Sequence, residues 1–275
     1  MNKIKKIINQ MFNVLGYSIN KVKKTQKLPN FSENDLYEYK ILAELPGCLG
    51  PDAFALFKNL SKLDDLKIDT ILEIGVFCGR SLLGLACAFK KAEVTGVDPF
   101  FNDFHNSPAF YDEAEYLKSK AGLATREQRI EKIWLVADKF KSFRGRIKLE
   151  AVTQESFLAK NNKKFNLIHV DGEHSFKAVD DVLDALDNIL QPNALIVIDD
   201  LPSPGFPEIA EAVYTHKKFK QKFFPLVYGC NKGVFIYQPD NTTKLKNIKQ
   251  QLLEILKKTS TIRIQTHDES ILIIG

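Results

Sequence analysis

Residues 70–86 read TILEIGVFCGRSLLGLA. An apolar run leads into Glu73, a turn follows from Gly75 to Gly79, and an amphipathic run starts near Ser81. This order predicts a strand, a glycine turn and a helix. Gly75 and Gly79 let the backbone come close to a ligand, and the free N–H groups at the helix start suit a carboxylate. The next strand, AEVTGVD, ends on Asp98, where an acid can accept hydrogen bonds from both hydroxyls of a ribose. These features fit an adenosine-bearing cofactor. The spacing Gly-x-x-x-Gly differs from the Gly-x-Gly-x-x-Gly of dinucleotide sites and counts against NAD. A tight strand–helix turn with no ligand is the alternative.

Outward from that turn the chain alternates strands with helices. The expected strands are TILEIGV, AEVTGVD, RIKLEAV, FNLIHVD and ALIVIDD, then two around the Gly-Cys-Asn-Lys-Gly turn of FFPLVYGCNKGVFIYQ. Val179, Val182, Leu183, Leu186, Ile189 and Leu190 share one helical face. The pattern predicts an α/β fold: a doubly wound, mostly parallel seven-stranded sheet of Rossmann-like type, closed by an antiparallel hairpin and preceded by a helical extension. The expected divisions are a basic tail and linker over 1–30, the α/β domain over 31–240, and a helix and strand over 241–275 with no place assigned.

The formal charge of +5 is local to the tail. Residues 1–27 hold seven of the 39 basic residues and no acid, leaving 32 against 34 acidic ones. A near-neutral body argues against nucleic acid as a partner. Ile4, Ile7, Ile8, Met11, Phe12 and Leu15 lie on one face of the tail. That face suits peripheral membrane contact through residues 1–24, or packing on the domain or on a second copy in a homo-oligomer. Cys48, Cys78, Cys87 and Cys230 form no Cys-x-x-Cys pair, which suits free thiols in a reducing cytoplasm. No apolar run reaches the roughly 18–20 residues that span a bilayer, and the N-terminus lacks the pattern of a signal peptide.

LEIGVFCGRS resembles the first motif of class I S-adenosylmethionine-dependent methyltransferases, most closely the catechol O-methyltransferase-like and metal-dependent sugar and small-molecule O-methyltransferases. The similarity continues through GVDPF, VTQESF, IHVDGEHSF and IVIDDLPSPGFPE, across residues 45–237. It implies that Glu73 and Ser81 hold the methionine end of S-adenosylmethionine, that Gly75 and Phe77 line its bed, with Gly79 closing the same turn, and that Asp98 takes the ribose. It also implies that Thr153 and Gln154 lie near the adenine. Phe77 stands where the catechol enzymes usually carry Tyr, so a hydroxyl-dependent contact there is lost.

Asp171 ends the fourth expected strand, and Asp199 and Asp200 end the fifth, so three carboxylates are expected at one edge of the crevice. Unpaired, they would repel, and a hard divalent cation such as Mg2+ removes the conflict. The resemblance implies metal binding at these same positions, with Asp171 also beside the cofactor. Such an ion binds an acceptor hydroxyl and lowers its pKa. The alternative is that Asp199 and Asp200 only cap the next segment. His174 is the expected base, in place of the Lys of catechol enzymes, because imidazoles as a class titrate near neutrality. Glu173 is its competitor. His169 is expected to pack inside its strand. Phe100, Phe101, Phe104, Phe110 and Tyr111 form either an aromatic lid or part of the core.

The leading reading is a metal-assisted O-methyltransferase for a small hydroxylated acceptor, a sugar or phenol. The alternatives are a metal-independent N- or O-methyltransferase and a non-catalytic, membrane-recruited scaffold.

Overall fold

Ser32 caps the first helix, α1 (Glu33–Leu42), its hydroxyl oxygen accepting the Asp35 N–H at 3.1 Å. The computed structural model describes residues 29–100, 123, 125–238, 242–259, 263–267 and 270–274. The expected tail helix and the aromatic residues Phe101, Phe104, Phe110 and Tyr111 lie outside them. Helix α2 (Pro51–Leu60) begins on Pro51, at a position that needs no N–H. Lys58 on α2 ties it to α1 through Asp35 at 2.8 Å and through Glu38.

Strands β1 (Thr70–Ile74), β2 (Glu93–Val97), β3 (Ile147–Glu150), β4 (Phe165–Val170) and β5 (Leu190–Asp199) run parallel. The segments joining them carry α3 (Arg80–Ala88), α4 (Arg126–Ala137), α5 (Gln154–Lys160) and α6 (Phe176–Ile189). Helices α7 (Pro207–Thr215) and α8 (Lys217–Lys222) lead to the antiparallel pair β6 (Phe223–Gly229) and β7 (Lys232–Tyr237). The stretch 207–222 is not one continuous helix. It breaks at His216, whose backbone is extended and whose ring Nδ1 accepts the Phe219 N–H at 3.0 Å to start α8. Helix α5 was not expected from the sequence.

The sheet order is β3-β2-β1-β4-β5-β7-β6, followed by β9 (Ser270–Ile274) and β8 (Arg263–His267). The seven-stranded α/β arrangement is as expected, and the C-terminal segment lengthens it to nine strands. Helix α9 (Thr242–Thr259) buries Leu245, Ile248, Leu252 and Leu256 in the same core as Phe54 and Phe57 of α2. Strand β9 then pairs parallel to β6.

The period of two along each strand separates two cores. Leu72, Ile74, Ile168, Val170, Ile196 and Ile198 face α6 and α7. On α6 the expected stripe is buried from Val179 to Ile189, each large aliphatic side chain being worth about 1.5–3 kcal/mol. Ile71, Leu167, Leu195, Val197 and Val234 share the other core, with α2, α3 and α9. Toward the carboxyl ends of the parallel strands, this second face changes from apolar to charged. Among the described residues no helix is long and apolar enough to cross a membrane.

Candidate active site

Strand order reverses between β1 and β4, so the crevice for a ligand lies beyond their carboxyl ends. Gly75 closes β1 there at φ +89°, and a Cβ on it would stand 1.9 Å from the backbone oxygen of Asp171. Only glycine lets the two strand ends approach so closely. Gly79, at φ +83°, is the N-cap of α3 and makes no side-chain cap, so the first turn, with the partly buried Ser81, keeps N–H groups for an anion. Phe77 also lies in the left-handed region, at φ +52°, its side chain packed beside Cys78 and Leu123.

Asp98 follows β2 and holds this turn in place. Its Oδ2 accepts the N–H groups of Val76 at 2.9 Å and Phe77 at 2.8 Å, and its Oδ1 that of Phe100 at 2.6 Å. Burial raises its pKa, and the backbone N–H groups and the Arg129 guanidinium oppose the rise. Arg129, 1% exposed on α4, was not singled out in the sequence. Phe100 is buried beside it, with 5.9 Å between guanidinium carbon and ring centroid, and so belongs to the core. Thr153 caps α5, its Oγ1 accepting the Ser156 N–H at 3.3 Å. Gln154 donates to the Ala178 carbonyl at 3.1 Å and brings its own carbonyl beside Gly172.

Glu73 and His169 are direct partners across β1 and β4, both fully buried, with Oε1 and Nδ1 2.8 Å apart. His169 is packed as expected, its ring edge-on to Phe57 at 5.4 Å. Glu73 Oε2 and His169 Nε2 have no hydrogen-bond partner within the protein. An orphaned carboxylate oxygen at the end of β1, an uncapped helix start and the Asp98 carboxylate fit the ammonium, carboxylate and ribose of S-adenosylmethionine.

Asp171, Asp199 and Asp200 gather where β4 and β5 end. They do not form the open carboxylate triad expected from the sequence. The Nζ of Lys232, the first residue of β7, lies 2.6 Å from Asp199 Oδ2, and its side chain is 4% exposed. Asp199 Oδ1 accepts the Asp200 N–H at 2.9 Å. Both Asp199 oxygens are therefore engaged. Burial pushes Asp199 up, but Lys232 and His169 hold it below the ordinary carboxylate range. The carboxylate of Asp171 is surrounded by protein although part of the residue reaches solvent. Burial and the neighbouring Asp199, Glu73 and Asp200 raise it well above that range, with Lys232 opposing.

His174 Nε2 is 3.4 Å from Asp200 Oδ2, too poorly aligned for a hydrogen bond, and has no other partner. Its ring lies 4.1 Å from that of Phe206, which is 37% exposed on the loop between Asp200 and α7. Asn231 donates its side-chain N–H to Asp200 Oδ1. Glu173, the competing base, is exposed.

The donor set tests the expected Mg2+ site. Two groupings among the described residues offer atoms within 4.8 Å of one another: Asp171, His174 and Asp200, and Glu73, His169 and Asp171. Asp199 is in neither. With Lys232 on Asp199, the expected set of Asp171, Asp199 and Asp200 does not stand open as three ligands, and Asp171 and Asp200 group with His174 instead.

Residues 72–201 match the family model described as a methyltransferase domain. A Podospora anserina methyltransferase solved with S-adenosylhomocysteine is similar at TM-score 0.50 and 16% identity, over 82% of this chain and 100% of that one. A Corynebacterium glutamicum protein is similar at TM-score 0.50 and 11% identity, over 83% and 97%. The Streptomyces achromogenes O-methyltransferase TomG, involved in tomaymycin synthesis and solved with S-adenosylmethionine, gives 0.48 and 14%, over 84% and 98%. No curated protein matches significantly. The chain is thus of methyltransferase type over residues 72–201.

Proposed function

We propose that this enzyme transfers the methyl group of S-adenosylmethionine to a hydroxyl oxygen of a small acceptor, a sugar or catechol-like phenol, with His174 as general base. The observation that carries the reading is the unpartnered His174 Nε2, held beside Asp200 and against Phe206 at the crevice. When bound, S-adenosylmethionine supplies an electrophilic methyl group on a sulfonium. The start of α3 with Ser81 takes its carboxylate, Glu73 and Asp171 face its ammonium, and Asp98 takes its ribose. Gly75, Phe77 and Gly79 form the bed, and Thr153 and Gln154 flank the adenine.

As the acceptor oxygen forms its bond to the methyl carbon, the carbon–sulfur bond breaks and its electron pair stays on sulfur. The hydroxyl proton passes to His174 Nε2, so charge balances with a neutral thioether product. Asp200 faces the imidazolium formed, and Phe206 offers a flat wall to the acceptor. In this reading His174, rather than a divalent ion on Asp171, Asp199 and Asp200, removes the cost of attack by a neutral hydroxyl.

The same reading places the enzyme in the cytoplasm, on the support of a sequence with four scattered cysteines and no Cys-x-x-Cys pair. The basic tail adds contact with an anionic membrane surface or a second copy, supported by its sequence pattern. The test of the chemistry is mass spectrometry of hydroxylated acceptors incubated with methyl-labelled S-adenosylmethionine. Label on an acceptor oxygen is expected. Label found only on nitrogen contradicts the reading.

A further inference from the structure

Four carboxylates, from Glu73, Asp171, Asp199 and Asp200, approach one end of the sheet, and like charges so placed need a cation among them. The chain supplies one. Lys232 is in register with Asp199 across β5 and β7, bonded to it at 2.6 Å, with its ammonium 5.8 Å from the Phe57 ring centroid. Lysine is almost never buried without a partner, and the period of two along β7 sets Lys232 on the inward face of Val234 and Ile236, opposite Asp199.

The hairpin is built to deliver it. Cys230 at φ +55° and Asn231 at φ +62° form the two-residue turn between Gly229 and Lys232. Two left-handed residues in succession match the twist of an antiparallel pair. They set the Asn231 amide on Asp200 and the Lys232 ammonium on Asp199. The carboxylates of Asp199 and Asp200 are thus held by consecutive residues, the last of the turn and the first of β7.

We propose that Lys232 takes the place of the divalent cation that the family resemblance implies, its fixed ammonium on Asp199 supplying the positive charge of the carboxylate cluster so that this enzyme works without a bound metal. Lys232 acts as a positioning residue. It fixes Asp199 and lowers the negative potential around Asp171, while proton removal rests with His174. The inference rests on the methyltransferase reading above, but its test needs no methyl donor.

Mn2+ is titrated into the full chain, and the free ion is followed by electron paramagnetic resonance. The wild type is expected to leave Mn2+ free up to millimolar concentration, and Lys232→Arg to behave likewise. Lys232→Met and Lys232→Gln, which free Asp199 and remove the repelling charge, are expected to bind one ion at least about tenfold more tightly. One-to-one binding by the wild type as tight as in the neutral variants overturns the proposal. So does unchanged affinity in the neutral variants. Failure of the methyltransferase reading would appear separately, as no binding of S-adenosylmethionine.

Discussion

Asp199 and Lys232 face each other across β5 and β7, Oδ2 to Nζ at 2.6 Å, with the lysine side chain buried. A buried ion pair adds little net stability, because desolvation offsets the attraction, but removing one partner leaves an uncompensated charge. Asp199→Ala is therefore expected to cost about 3–5 kcal/mol in urea unfolding. The double variant Asp199→Asn with Lys232→Met should cost clearly less than its two single changes combined. Strict additivity would show that the pair does not act as a unit.

His174→Gln tests the assignment of the base. Loss of a general base lowers turnover by about 10²–10⁴-fold. Affinity for S-adenosylmethionine should stay within about twofold, because His174 faces Asp200 and Phe206 rather than the glycine turn. A variant that keeps wild-type kcat removes His174 from the chemistry.

These two residues show where sequence stops being informative. The strand–turn–helix at 70–86, the stripe on α6 and the Ser32 cap depend on local spacing, so the linear order of residues suffices to read them. His174 lies three residues from Asp171 and is equally visible. Lys232 is one of 39 basic residues, and only the antiparallel register set by the Cys230–Asn231 turn brings it to Asp199. In the same way, Glu73 and His169 lie 96 positions apart, and their pairing depends on how β1 aligns with β4. Two adjacent acids invite the expectation of a metal. The cation that neutralises one of them comes from a strand on which the carboxylate pattern says nothing.

Asp171 should leave a mark on stability as a function of pH. Its folded pKa is raised by burial and by Asp199, so the native state binds this proton more tightly than the unfolded chain does. The group's contribution is therefore most favourable below its unfolded value of about 3.9, and it is lost as pH rises toward the raised value. Asp171→Asn removes that loss. Measured by unfolding across pH, the difference between variant and wild type should move in the variant's favour from about pH 4 upward. A pH-independent difference would mean that Asp171 ionises normally in the fold.

Gly75→Ala tests the closure of the crevice floor. Its Cβ would stand 1.9 Å from the Asp171 backbone oxygen, at a φ of +89° that alanine adopts only under strain. The expected outcome is a loss of at least about 3 kcal/mol, read as a fall in Tm or in soluble yield. Gly145→Ala, where a Cβ meets nothing within 4 Å, is the control and should melt like the wild type. Equal melting of both variants would show that the strand ends are not closely apposed.

The most direct measurement is calorimetric titration of the folded full chain with S-adenosylmethionine, beside Asp98→Asn. The expected result is saturable one-to-one binding, weakened about tenfold or more in the variant, whose loss of charge weakens both the ribose contact and the hydrogen bonds that hold the 76–77 turn. No binding by well-folded wild-type protein, or equal affinity in Asp98→Asn, would contradict the cofactor site described above.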